Sequence, residues 1–254
     1  LYEVRSGEWA GKEDYDRAIS DASAALKLAP NMAQAHFQRG TAWANKGDFE
    51  RAIADFDAAL KLRPDNPAVH ASRAVEYSVK GDYARAIADF DAALKLDPKA
   101  DDTRFARGRT LFYMSEFARA AQDIAAAYKA QPNAYVALWL YLARKRAGVS
   151  DAESQLERDM ARFRGGWPFA VAVLYDGRTD PQSVTVAATD SDPVRRRELR
   201  CEADFYIGHW HLLKGERADA LTRLNNVQRE CPKNILEYEG AVAELRRLAQ
   251  PSPR

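Results

Sequence analysis

Ala33–Asn66 reads AQAHFQRGTAWANKGDFERAIADFDAALKLRPDN, and Pro67–Ala100 follows at once as PAVHASRAVEYSVKGDYARAIADFDAALKLDPKA. The two stretches share GDF or GDY, then RAIADFDAALKL, then a proline, at an offset of 34 residues. Self-similarity at that period points to a helical hairpin used as a stacking unit. His36, Gly40 and Trp43 recur at three-to-four spacing and share one helix face, as do Phe49, Ala52, Ile53, Phe56, Ala59 and Leu60 further on. Between them Lys46-Gly47-Asp48 offers a glycine to end the first helix and an aspartate to cap the second, which Pro64 then stops. Small residues at Gly40, Ala52 and Ala59 let the two helices approach, and Trp43, Phe49 and Phe56 fill the remaining space. One hairpin cannot bury such a face alone, so the units must stack into an all-α helical-hairpin solenoid.

The pattern resembles the tetratricopeptide repeat family. That family places small residues eighth, twentieth and twenty-seventh, aromatics eleventh, seventeenth and twenty-fourth, and a proline thirty-second. Gly40, Trp43, Phe49, Ala52, Phe56, Ala59 and Pro64 occupy those places, and Ala74, Tyr77, Tyr83, Ala86, Phe90, Ala93 and Pro98 occupy them in the next copy.

The same frame extends in both directions. Tyr2, Ser6, Trp9, Tyr15, Ala18, Ala22, Ala25 and Pro30 fit it with the extreme start missing, and Asp101–Ala134 fits it through Gly108, Leu111, Phe117, Ala120, Ile124, Ala127 and Pro132, with Ser115 at the turn glycine. Residues 1–134 thus read as four hairpins, the first truncated. Tyr135–Ala147 starts a further unit with the apolar helix YVALWLYLARKRA, and the frame fails after Gly148. Asp151–Phe163 reads as a helix capped by Ser150 or Asp151. In 167–193, VAVLY and VTVAA carry β-branched residues, but isolated strands have no sheet to join, so short helices are expected. Residues 135–200 therefore form a degenerate repeat plus an irregular helical insert. From Cys201 the frame returns through Gly208, His211, Gly215, Ala220, Leu224, Val227 and Pro232, on a helix expected to open at Pro193. Residues 233–250 form a capping helix with Ile235, Tyr238, Val242, Leu245 and Leu248 as its apolar stripe, and 251–254 are expected to be disordered.

The order of these parts is similar to that of the NlpI-type tetratricopeptide lipoproteins of the Gram-negative outer membrane. The specific stretches are LWLYLA at 138–143, ADFYIGHWHLLKGERADALTRL at 203–224 and NILEYEGAVAEL at 234–245. This resemblance implies a homodimeric, non-enzymatic adaptor in the cell envelope, with peptidoglycan hydrolases and a tail-specific protease as partners. The start at Leu1 rather than methionine leaves room for a preceding targeting or lipid-anchoring segment. A cytoplasmic interaction module in a regulatory or secretion complex is the alternative.

Cys201 and Cys231 take the first and thirty-first places of one hairpin. Antiparallel helices bring those places together, so a disulfide is expected, with two buried thiols as the other reading. The resemblance does not itself imply the pair. A disulfide fits an oxidising compartment such as the periplasm.

The remaining 254-residue composition narrows function by exclusion. With 46% hydrophobic and 30% charged residues and a formal net charge of +1, the chain offers no long-range attraction to nucleic acid or an anionic membrane. No apolar run spans a bilayer, so membrane contact is expected only through such an anchor. Nucleotide-binding, nucleophile-elbow and zinc-protease motifs are missing, so neither catalytic residues nor cofactors are expected. His209 and His211 lie two apart on a helix and make a poor chelate, and His36 and His70 recur at one place as parts of the stack. Asp176, Asp180, Asp190 and Asp192 read as helix caps rather than a metal site. Arg195, Arg196, Arg197 and Arg200 form the densest positive run, either a solvated face or a grip for an acidic partner.

In the resembled family the first helix of each hairpin lines a concave groove. Places not used for packing there are Gln34, Phe37, Gln38, Thr41 and Asn45, then Ser72 and Val75, then Phe105, Arg109, Phe112 and Tyr113, then Trp139. The groove is expected to turn from polar to aromatic, the rings either anchoring a peptide or packing against the insert or a second copy. The Lys and Asn of the chaperone-binding carboxylate clamp are replaced by Phe37, Ala71 and Phe105, and by Thr41, Val75 and Arg109. A co-chaperone role is therefore not expected.

Overall fold

The computed structural model describes residues 12–233 and 235–250, and the signature places at Tyr2, Ser6 and Trp9 and the tail at 251–254 lie outside them. Fourteen α-helices and one 3₁₀ turn, with no strand, make up the described residues. The chain divides into two compact units, one ending at Thr110 and the other starting at Leu111.

The first unit contains α1 (Lys12–Leu28), α2 (Ala33–Asn45), α3 (Phe49–Leu62), α4 (Pro67–Lys80) and α5 (Tyr83–Leu96), and it takes in most of α6 (Asp101–Tyr113). The helix pairs α2/α3 and α4/α5 are the two hairpins read from the repeat. Asp48 and Asp82 cap the second helices, accepting from the Arg51 and Arg85 amides at 3.1 and 3.3 Å, while Gly47 and Gly81 end the first helices with φ of +78° and +84°. Phe56 and Phe90, each 1% exposed, cluster with Ala52 and Ala59 and with Ala74, Tyr77 and Ala86 respectively. Burying each ring stabilises by about 1.5–3 kcal/mol.

A polar lattice repeats with the same offset. Arg39 donates its Nε and Nη2 to the two oxygens of Asp55 at 2.8 Å, and Arg73 does the same to Asp89 at 2.7 Å. The ring nitrogens of His36 reach Asp55 at 2.9 Å and the Pro30 carbonyl at 3.3 Å, and those of His70 reach Asp89 at 3.2 Å and the Pro64 carbonyl at 2.8 Å. Both aspartates are buried, and the forked contacts replace the water they lose. Arg73 also spans to Asp57 of the preceding hairpin at 2.6 Å, and Arg107 spans to Asp91 at 2.7 Å. The histidines are thus structural members of the stack, as their repetition indicated.

The second unit holds α7 (Phe117–Ala130), α8 (Ala134–Arg146), α9 (Ala152–Met160), α10 (Phe169–Tyr175), α11 (Pro181–Ala187), α12 (Pro193–Leu213), α13 (Arg217–Glu230) and α14 (Leu236–Ala249). The segments VAVLY and VTVAA fall in the short helices α10 and α11, and α12 opens at Pro193, all as expected. Asp180 and Asp192 cap α11 and α12, accepting from the Ser183 and Val194 amides at 2.8 and 3.0 Å. Asp151 stands at the start of α9 without capping a backbone amide, its carboxylate being held by the Gln155 side chain at 2.7 Å.

Ser115 takes the place of the turn glycine and adopts its left-handed conformation, φ +64°. Its amide donates to Phe112 O and the next amide to Leu111 O, both at 2.9 Å, the same closure that Gly81 makes. A side chain in that conformation is strained by about 1 kcal/mol. Ser115→Gly is expected to stabilise the second unit by roughly 0.5–1 kcal/mol, read as a rise in its denaturation midpoint. An unchanged or lower midpoint would show that the hydroxyl offsets the strain.

One expectation for α14 is corrected. Its buried face is Glu237, Gly240, Ala241, Glu244 and Leu248, while Ile235, Tyr238, Val242 and Leu245 are half-exposed. Gly240 decides the orientation, since a Cβ there would come within 2.6 Å of Phe205 and 3.1 Å of Trp139. Only that face lets the two rings in.

Candidate protein-binding site

On α2 of the first unit, Gln34, Gln38, Thr41 and Asn45 form an exposed polar stripe at spacings of four, three and four. Thr41 donates its hydroxyl to Phe37 O at 3.0 Å. The amides of Gln34, Gln38 and Asn45 make no side-chain hydrogen bond among the described residues. Phe37 is half-buried and packs on Phe56, ring centroids 5.9 Å apart. On α4, Ser72 and Val75 are half-buried, Val75 resting on the Ala74–Tyr77–Ala86–Phe90 cluster. These seven residues supply three carboxamides and two hydroxyls beside the half-buried Phe37 and Val75. A carboxamide carries one donor group and one acceptor group, the complement of a peptide backbone unit.

The aromatic part of the expected groove is corrected. Phe105 and Arg109 are 2% and 6% exposed, the guanidinium lying over the Phe105 ring at 5.6 Å. Phe112, Tyr113 and Trp139 are 1%, 8% and 0% exposed, so none of the five is open to a partner. Trp139 lies between Phe112 at 5.5 Å, Tyr113 at 6.1 Å and Phe205 at 5.3 Å, and the last of these comes from the distant helix α12. The rings pack inside the second unit against Phe205 and His209 of α12, neither on a partner nor on the insert that the sequence reading named.

His209 and His211 face apart. His209 is 1% exposed, in ring contact with Phe205 at 4.6 Å and Phe112 at 5.7 Å, and its Nε2 has no hydrogen-bond partner among the described residues. Burial pushes its imidazole down to about 4 against the pull of nearby Glu244. Burial by itself would raise Glu244, but His209, Arg146 and Arg247 outweigh it and hold the carboxyl below its usual value. His211 instead reaches Glu216 at 2.6 Å across the turn, with Asp219 close by, and both acids are exposed.

Sequence reasoning missed how the insert is fastened. Glu202 of α12 is 6% exposed and accepts from Tyr135 Oη at 2.9 Å, from Arg195 at 3.3 Å and from the Trp167 indole. Burial raises its pKa, opposed by those donors. Trp167 opens the irregular stretch, but its partner lies 35 residues away in sequence. Cys201 and Cys231 are joined as a disulfide, Cα atoms 5.8 Å apart, tying the end of α13 to α12.

A stack of helical hairpins with an exposed polar face on a first helix supports a protein-interaction scaffold. Two tetratricopeptide repeat models match, over residues 9–75 and 67–100. Residues 9–100 are therefore tetratricopeptide repeats. Among solved structures, a tetratricopeptide repeat protein from Parabacteroides merdae is 17% identical with a TM-score of 0.64, covering 93% of this chain and 94% of its own. MamA is 19% identical with a TM-score of 0.57, covering 60% and 90%. YrrB, described as having an unusual peptide-binding site, is 18% identical with a TM-score of 0.51, covering 90% and 100%. Identities this low establish the fold.

Proposed function

We propose that this chain is a non-enzymatic adaptor of the bacterial cell envelope that holds extended segments of other proteins on α2 and α4 of its first unit. The carrying observation is the Gln34–Gln38–Thr41–Asn45 stripe, whose carboxamides are exposed and unengaged among the described residues. Peptide binding by the similarly folded YrrB agrees with that use. The Cys201–Cys231 bridge favours an oxidising compartment. The resemblance to NlpI-type lipoproteins then supplies the finer reading: a homodimer in the periplasm, anchored at the outer membrane, that brings peptidoglycan hydrolases together with a tail-specific protease.

The test is a crosslinked pull-down from the native envelope with the wild-type chain and with a Gln38→Arg/Asn45→Arg double variant. The wild type is expected to recover a cell-wall hydrolase or protease, and the variant roughly tenfold less at an unchanged melting temperature. Recovery of no such enzyme, or equal recovery by both proteins, would remove this reading.

A further inference from the structure

A cavity of about 280 Å³ opens where α12 begins and α13 ends, floored by the Cys201–Cys231 bridge. Three arginines of α12, Arg196, Arg197 and Arg200, line it. Two of them are pinned by main-chain carbonyls. Arg196 donates to Asp190 O at 2.9 Å and Ser191 O at 3.1 Å, and Arg197 donates through Nε to Glu230 O at 3.1 Å. Arg200 is exposed and makes no hydrogen bond or ion pair among the described residues. The two acids at the cavity are already engaged, Asp204 by Arg223 at 2.6 Å and Glu230 by Arg229 at 2.8 Å.

This arrangement is electrostatically unfavourable when empty. Arg200 follows Arg196 by four residues and Arg197 by three, so like charges sit side by side on one helix face. Arg196 also lies in the first turn of α12, where the backbone dipole disfavours cations. An anion in the cavity relieves both effects. The two acids of the lining are already paired with Arg223 and Arg229, so the three arginines leave the cavity with a surplus of positive charge for an anion to meet. Asn226 at the rim accepts from Arg229 through Oδ1 at 2.9 Å, which leaves its Nδ2 as a further donor.

We infer that this cavity is a carboxylate-binding subsite, with the free guanidinium of Arg200 as the fork that grips the two oxygens. Its ligand is a carboxylate carried by a protein segment, from a chain terminus or an acidic side chain. The inference rests on the adaptor reading only for the ligand being a protein. It places a second contact in the second unit, separate from the α2 stripe.

The test follows the arginine side-chain N–H signals by NMR at constant ionic strength, in the purified chain. The probes are acetyl-tetraalanine as free acid and as amide, the amidated peptide acetyl-Ala-Ala-Glu-Ala, and inorganic phosphate. Saturable shifts at Arg196, Arg197 and Arg200 with the free acid support a terminal carboxylate, and with the amidated glutamate peptide a side-chain one. The tetraalanine amide is expected to shift none of them. Arg200→Gln is expected to weaken the response roughly tenfold, and Arg246→Gln, an exposed arginine on α14, to leave it unchanged. No saturable shift with either carboxylate, or an equal response to phosphate, would overturn the subsite. The outcome is separable from the pull-down, because the Gln38→Arg/Asn45→Arg protein is expected to titrate here like the wild type.

Discussion

Trp139→Ala is expected to destabilise the second unit by about 3–5 kcal/mol, the range for emptying a fully buried large aromatic site. The side chain is 0% exposed, and its neighbours are held from several directions: Phe112 and Tyr113 on α6, Phe205 on α12 and Gly240 on α14. Collapse into the space is opposed because each neighbour is itself fixed by other contacts, as Phe205 is by His209 at 4.6 Å and Tyr206 at 5.1 Å. Urea titration followed by circular dichroism measures the loss. Trp43, half-buried with Arg51 over its face at 4.2 Å, is the internal comparison and is expected to cost clearly less as alanine. Were Trp139 an anchor for a partner, its alanine variant would lose binding at unchanged stability. The buried geometry requires the reverse.

The second large effect concerns the bridge. Cys201 and Cys231 close a loop with a sequence separation of 30 residues. The chain-entropy estimate for such a loop is about 3–4 kcal/mol, acting on the unfolded state. The Cys201→Ser/Cys231→Ser double variant is expected to lose about that much in a denaturant titration against the oxidised wild type. Reductant is expected to move the wild type toward the variant and leave the variant where it was. A loss below about 1 kcal/mol would mean that the α12/α13 packing already restrains the unfolded chain.

The two outcomes also show where sequence reasoning reached and where it stopped. The offset repeat, the caps at Asp48 and Asp82, the helical state of VAVLY and VTVAA, and the closeness of Cys201 to Cys231 all follow from short-range rules or hairpin geometry. The interior fate of Phe112, Tyr113 and Trp139 does not. A repeat signature says which helix face closes its own hairpin, and is silent about what lies on the other face. Here the cover comes from Phe205, 66 residues beyond Trp139. The same limit explains α14. A periodic search for apolar residues selects Tyr238, Val242 and Leu245, but the helix buries Gly240 for its emptiness and Glu244 for its pairing with Arg146 at 3.2 Å. The polar stripe on α2 was legible because the repeat signature marks which places of a first helix are not used for packing.

The arginine-to-aspartate links in the first unit recur at a constant offset: Arg73 to Asp57, then Arg107 to Asp91, each across a hairpin boundary. Lys46 to Asp16 and Lys80 to Glu50 follow the same rule. Each junction is therefore specified by one unit and its immediate neighbour. Copy number is then a variable the chemistry leaves free. A duplicate of residues 67–100 inserted after Ala100 would present to its predecessor the arginine that Asp91 already receives, and to its successor the aspartate that Arg107 already seeks. Lengthening of the array by in-frame duplication needs no compensating change, and the identity of the RAIADFDAALKL stretches at 51–62 and 85–96 is consistent with such an event.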